Sequence, residues 1–287
     1  MDNNITIKEW KCEFNKDITN LLSTDIHYIP SYSMKNNYFL IYTTNKIIGI
    51  GALWMNAIHP YREYISIFIS PTNRRKSYGK LLFEYMKSKC TLNNLQTAFD
   101  SQNESATHFA TSCGFHLARK CYIPIFKKED MKELYFVTDT VLIPMTELNP
   151  LQKNTVYETL YQDYMRKHKL INPLSKSITV DNFKSYIIDD LSETDSYVTV
   201  NEDHICSYLL SYEVDNHTIS VGYIGNSTKD ESGILLYQKF LYNILDNLYK
   251  KYTYLELEID DCDDDAMLLR ELFTKQVHDS WDTYIKN

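Results

Sequence analysis

A chain of 287 residues with 44% hydrophobic side chains has the length of two domains of about 140 residues, each able to bury a core. Its formal net charge of −8 excludes a general grip on nucleic-acid backbones, which takes clustered positive charge. Glycine and proline, seven of each, are too scarce for long disordered tracts. The six cysteines, at positions 12, 90, 113, 121, 206 and 262, form no C-x-x-C pair and no Cys/His set with zinc spacing. They read as reduced thiols, so no metal site and a cytoplasmic location are expected. The opening MDNNITIKEWK lacks a signal-like apolar stretch, and no run reaches the ~18 apolar residues that cross a bilayer, so no membrane partner is expected.

In chain order, Ile5 to Cys12 alternates as a strand. Tyr38 to Tyr42 and Ile47 to Met55 form a hairpin through a turn at Asn45-Lys46, and Glu63 to Ile69 is a strand halted by Pro71. From Ser77 the period becomes helical, with Leu81, Leu82, Tyr85 and Met86 on one face. Leu95 to Phe99 is a short strand. Ala106, Phe109, Ala110 and Cys113 mark a second helix, stopped by Gly114. Strands follow over Phe115 to Phe126 and Glu133 to Ile143, and Pro144 to Asn154 reads as the linker.

Beyond it lie a helix around Val156 to Met165 and short elements over Lys176 to Leu191. A hairpin follows, Tyr197 to Val200 and Ile205 to Tyr212, turning at Asn201 to His204. Thr218 to Ile224 is a strand, Gly233 to Tyr249 a helix, Tyr252 to Ile259 a strand, Asp263 to Phe273 a helix, and Trp281 to Ile285 a last strand. The order repeats that of the first half. Asn45 precedes Gly79 by 34 residues, and Asn201 precedes Gly233 by 32.

The chemistry concentrates between Ile69 and Lys80. A strand ending at Ile69 and a helix beginning near Ser77 leave unpaired N–H groups at a helix N-terminus, a setting suited to pyrophosphate. Arg74, Arg75, Lys76 and Lys80 add positive charge, and arginine can bind phosphate through paired donors. Gly79 removes a Cβ from the first turn, and Ser77 offers a backbone donor and a hydroxyl that binds or caps.

The stretch Ile69-Ser70-Pro71-Thr72-Asn73-Arg74-Arg75-Lys76-Ser77-Tyr78-Gly79 resembles the acetyl-CoA signature of the GCN5-related N-acetyltransferase (GNAT) family, in which an apolar residue and Pro precede Arg-x-x-Gly-x-Gly. Arg74 matches the leading arginine and Gly79 the final glycine. Ser77 replaces the middle glycine, and Arg75 replaces another often found there. Asn103-x-x-Ala106-x-x-Phe109, followed by Gly114-Phe115, resembles the family's next helix, so the likeness spans most of residues 5 to 145.

The resemblance implies an α+β fold, an α/β/α layered mixed sheet, in two tandem GNAT domains, residues 1–146 binding CoA and residues 147–287 a degenerate copy. It implies acetyl-CoA as acyl donor, held by Phe68, Ile69, Arg74, Arg75, Lys76, Ser77, Tyr78, Gly79, Lys80, Asn103 and Phe109. The acceptor is expected to be a primary amine of a small molecule. Glu63 is the candidate general base, and a backbone N–H near Phe68 or Ile69 the expected oxyanion donor. Ala110 stands where many members carry the tyrosine that protonates the departing thiolate. A non-catalytic CoA sensor or scaffold is the alternative, and a monomer or homodimer the expected state. In the second half, Asp230 and Glu231 would oppose a pyrophosphate. The acids from Asp260 to Asp265 fit no calcium loop and read as solvated helix-start acids.

Overall fold

The computed structural model describes residues 5–44, 46–134, 141–201 and 204–287. Asn45, part of the turn at Asn201 to His204, and residues 135–140 of the strand expected over Glu133 to Ile143 lie outside them. The chain forms two compact units. The first is Met1–Ala118 with Ile171–Ser175 and Asp282–Asn287; the second is Arg119–Leu170 with Lys176–Trp281.

The first unit runs β1 (Ile5–Trp10), α1 (Lys16–Leu22), β2 (Asn37–Thr43), β3 (Lys46–Met55), β4 (Glu63–Ile69), α2 (Tyr78–Lys87), β5 (Leu95–Asp100), α3 (Glu104–Ser112) and β6 (His116–Tyr122). β1 to β4 are an antiparallel meander, and β5 joins β4 in parallel. Ile18, Leu21, Tyr38, Leu40, Ile50 and Phe68 pack around α1. Strand alternation sends Ile65 and Ile69 to the opposite cluster with Leu82, Phe83 and Met86 of α2. Fully burying each of these large side chains stabilises by about 1.5–3 kcal/mol. Tyr78, Leu82, Phe83 and Met86 form the buried stripe of α2; Leu81, assigned to that face from sequence, is 43% exposed.

The second unit contains β7 (Ile125–Phe126), β8 (Ile143–Pro144), α4 (Pro150–His168), α5 (Val180–Ile188), β9 (Tyr197–Asn201), β10 (His204–Glu213), β11 (Thr218–Asn226), α6 (Glu231–Leu248), β12 (Tyr254–Leu257), β13 (Ile259–Asp260) and α7 (Asp264–Arg270). Its sheet order is β7-β12-β11-β10-β9-β8, with β13 pairing the end of β6. The core gathers on α6 through Tyr237, Phe240, Leu241, Ile244, Leu245 and Leu248.

These units are not the contiguous stretches 1–146 and 147–287. The last strand, β14 (Trp281–Lys286), lies between β5 and β6 in the first sheet, and Ile125–Phe126 pairs with β12 in the second. The expected linker is structured as well. Pro144 pairs with Tyr197, Met145 is fully buried, and Pro150 opens α4 behind an Asn149–Gln152 capping box.

Candidate active site

β4 and β5 pair only at Glu63–Leu95 and Tyr64–Gln96, so their C-terminal ends splay apart. The Ser70 N–H donates to the Ile48 carbonyl at 2.9 Å. Antiparallel alternation from that bond turns the main-chain groups of Phe68 toward β3 and those of Ile67 and Ile69 away from it, into the splay. Of the two residues proposed as oxyanion donor, Ile69 therefore has its N–H on the open side and Phe68 does not. The Phe68 ring instead packs in the α1 cluster.

Past Ile69, a 3-10 turn over Pro71–Asn73 carries the chain to α2. Arg75 and Ser77 both adopt left-handed backbone, φ 61° and 62°. These are the two positions where non-glycine residues replace expected glycines, so the turn keeps its shape and bears the strain, about 1–2 kcal/mol per residue. Ser77 is the N-cap of α2 and makes no side-chain cap bond. Among the described residues, the other six α-helices each start at a side chain that accepts a first-turn N–H, from Asn15, Asn103, Asn149, Thr179, Asp230 and Asp263. Among the described residues, the N–H groups of Ser77, Gly79 and Lys80 donate to no protein acceptor. α2 thus presents open donors and the positive end of its dipole.

Several predicted residues have other partners. The Arg74 Nε donates to the Ile69 carbonyl at 3.0 Å, its terminal nitrogen pairs with Asp25 at 2.8 Å, and its guanidinium lies 5.8 Å from the Phe68 ring centre. Lys76 Nζ donates to the Thr72 carbonyl at 3.0 Å, while Arg75 and Lys80 are exposed. A Cβ on Gly79 would meet Phe109 Cε2 at 3.0 Å, so the close packing of α3 on α2 favours glycine there in its own right. Asn103 caps α3 by accepting the Ala106 N–H at 3.0 Å, and Ala110 is buried in the α2–α3 cluster.

Glu63 does not lie at the open end. It begins β4, six residues or about 20 Å of strand from Ile69. Its Oε2 accepts the N–H groups of Thr91 and Leu92 at 2.8 and 3.0 Å, and its Oε1 the Thr91 hydroxyl at 3.3 Å. With both oxygens engaged and the residue only 6% exposed, it fastens the loop entering β5 and is not placed to take an amine's proton.

The residues that do reach the open end come from the α1–β2 loop. The His27 ring meets Phe68 edge-on, with centroids 5.9 Å apart. Tyr28 lies 6.4 Å from Phe99, and its hydroxyl accepts the Asp100 N–H at 3.3 Å. Consecutive loop residues thus touch the tips of β4 and β5, while Asp25 holds Arg74. Nothing local in the sequence marks these residues: the stretch has no periodicity, and its contacts are 40 or more positions away.

The second unit repeats the splay with different contents. β11 and β12 pair over Thr218–Val221 and Tyr254–Leu257, and β11 continues to Asn226 paired with β10 but no longer with β12. Asp230 Oδ1 accepts the Gly233 N–H at 2.7 Å, closing the α6 N-terminus with a carboxylate; that N–H and the Ser232 hydroxyl hold Asp230 below the usual carboxyl range. Lys167 Nζ donates to the Ile224 carbonyl at 2.9 Å and pairs with Asp263 and Asp265 at 2.7 and 3.3 Å, and Lys229 pairs with Asp265 at 2.6 Å. Asp265 is 2% exposed and is buried rather than solvated, because two lysines neutralise it; Asp263 is partly exposed, and Asp261 and Asp264 are exposed as expected. Cys121, Glu258 and Asp260 bring donor atoms within 4.8 Å of one another, but Arg119 already supplies countercharge 3.0 Å from Asp260.

Residues 6–115 match the acetyltransferase (GNAT) family. The matched stretch lies within the first unit and includes the whole of α2. The likeness in fold runs through both units. The GCN5-related N-acetyltransferase of Sphaerobacter thermophilus matches with a TM-score of 0.56 at 13% identity, covering 87% of this chain and 80% of that one. A GNAT-family acetyltransferase from Colwellia psychrerythraea covers 98% of this chain and 100% of its own, with a TM-score of 0.51 at 8% identity. The glucosamine N-acetyltransferase region of a fungal multi-domain GH3 β-N-acetylglucosaminidase matches with a TM-score of 0.54 at 11% identity, over 99% of this chain and 38% of that one. No curated protein sequence matches. The chain therefore carries two mixed sheets, and its fold resembles these acetyltransferases along most of its length. No helix among the described residues is long and apolar enough to cross a membrane.

Proposed function

We propose that this protein transfers an acetyl group from acetyl-CoA to a primary amine of a small molecule, and that the first unit does the chemistry. The supporting observation is the contrast between α2 and α6: the first helix opens on unpaired N–H groups, the second on the Asp230 carboxylate. A diphosphate would meet donors at the one and like charge at the other. The second unit is then a copy without cofactor.

In this reading the Ser77, Gly79 and Lys80 N–H groups hold the pyrophosphate, with Arg75 and Lys80 as flanking charge. The pantetheine enters the β4–β5 splay, where the Ile69 N–H polarises the thioester carbonyl. Direct attack by the amine needs no covalent enzyme intermediate. The absence of a tyrosine at Ala110 is tolerable, because a thiol with a pKa of about 8.5 leaves as thiolate far more readily than an alcohol would.

The test is calorimetry with CoA, with mass spectrometry of an amine library incubated with protein and acetyl-CoA. Ser77→Asp, which copies the α6 arrangement, is expected to weaken CoA binding at least tenfold. If wild type binds no CoA at millimolar concentration, the reading fails. Binding with no acetylated product across the library would favour a CoA sensor.

A further inference from the structure

Resting on the acetyltransferase reading, the geometry points to His27 as the group that takes the acceptor ammonium's proton, with the acceptor entering on the α1 side of the splay. The α1–β2 loop crosses the open end of the splay. At that tip His27 turns to Phe68, in the α1 cluster, and Tyr28 to Phe99, in the α2–α3 cluster. With pyrophosphate donors on α2, the side left for an acceptor is the α1 side, where His27 lies.

The orphaned polar atoms agree. Among the described residues, His27 Nδ1 is buried without a protein partner, as is Oε1 of Gln96, a residue 4% exposed at the root of the splay. Leu95 and Phe99 belong to the α2–α3 cluster, so strand alternation puts Gln96 on the α1-facing side. Each is an unsatisfied polar atom, and the N–H donors of an amine are the groups that satisfy such acceptors. Burial holds the His27 imidazole below its ordinary pKa, keeping it neutral near pH 7 and competent to accept a proton. The charged groups facing this end are Asp25 on the loop and Arg74 beyond β4, paired with each other, and Asp100 at the tip of β5. Phe68 adds no charge.

The step balances. His27 takes one proton from R–NH3+, and the freed amine forms its C–N bond at the thioester carbon. The tetrahedral intermediate then breaks its C–S bond, and the CoA thiolate receives the surplus proton on nitrogen through water. His27 releases its proton to solvent, giving amide, CoA thiol and one proton.

The experiment measures kcat/KM against pH for wild type and His27→Gln, using the best amine from the library, with CoA affinity measured in parallel. Wild-type activity should fall on the acid side with a midpoint below about 6.5, the ordinary histidine value. The variant should lose that limb and about a hundredfold in kcat/KM, with CoA affinity within twofold. An acid limb that persists in His27→Gln, with CoA affinity retained, would overturn the assignment and leave the acetyltransferase reading standing. Should the variant misfold, an NMR titration of His27 in wild type decides: the inference requires its midpoint to match the kinetic limb, and a mismatch overturns it. A wild type that transfers to no amine overturns both.

Discussion

Arg74 pairs with Asp25 at 2.8 Å, so the leading arginine of the candidate phosphate loop already holds an anion from its own chain. The Ile26 N–H and then Arg74 keep the Asp25 carboxyl below its usual range, so the pair is fully charged at neutral pH. A phosphate reaching for Arg74 must displace that carboxylate. Asp25→Asn should therefore tighten CoA binding by about two- to fivefold, the scale of an exposed ion pair, with the gain shrinking as salt rises. Calorimetry at two ionic strengths checks this, and weaker binding in the variant would show that Asp25 aids the cofactor instead.

Glu63 is expected to be structural. Glu63→Gln leaves the Thr91 and Leu92 N–H groups facing a neutral amide and should cost about 1–3 kcal/mol in urea denaturation. Its kcat should stay within severalfold of wild type at a temperature where both are folded. A loss of a hundredfold or more would return Glu63 to the role of base.

Arg75 and Ser77 store strain that glycine would release. Arg75→Gly and Ser77→Gly should each stabilise the protein by about 0.5–1 kcal/mol, the αL relief less the extra entropy of an unfolded glycine. CoA affinity should persist for Ser77→Gly, whose contribution is a main-chain N–H. Denaturation midpoints that fall in both variants would show that the turn does not have this shape.

Asp195, 3% exposed, accepts from Lys251 at 2.6 Å and from Tyr252 and Ser192 at 3.0 Å each. Burial pulls its pKa up, but the three donors outweigh this and leave it below the ordinary value. A lowered carboxyl pKa stabilises the fold above the unfolded value of about 3.9 and is lost as pH falls through the folded value. Asp195→Ala should cost on the order of 3 kcal/mol at pH 7 and much less near pH 2. Equal losses at both values would mean that Asp195 contributes through packing alone.

Much of the fold was legible locally. β4 begins and ends at the expected Glu63 and Ile69, and α2 and α3 fall where the period changed, because strand and helix patterns are written in neighbouring side chains. The linker was misjudged because Pro144 and Pro150 read equally well as a break or, as found, as a paired residue and a helix N1.

The candidate site was legible only where it is made of backbone. The sequence of Ile69 to Lys80 placed a helix N-terminus just past a strand stopped by Pro71, and the structure then showed that the Ser77 hydroxyl leaves its donors uncapped. Tertiary structure alone decided that Arg74 meets Asp25, that Glu63 is fastened to Thr91, that His27 and Tyr28 straddle the splay, and that β14 completes the first sheet. Each of these joins residues at least 28 positions apart, where the partner is set by packing of the whole chain and no local spacing records it.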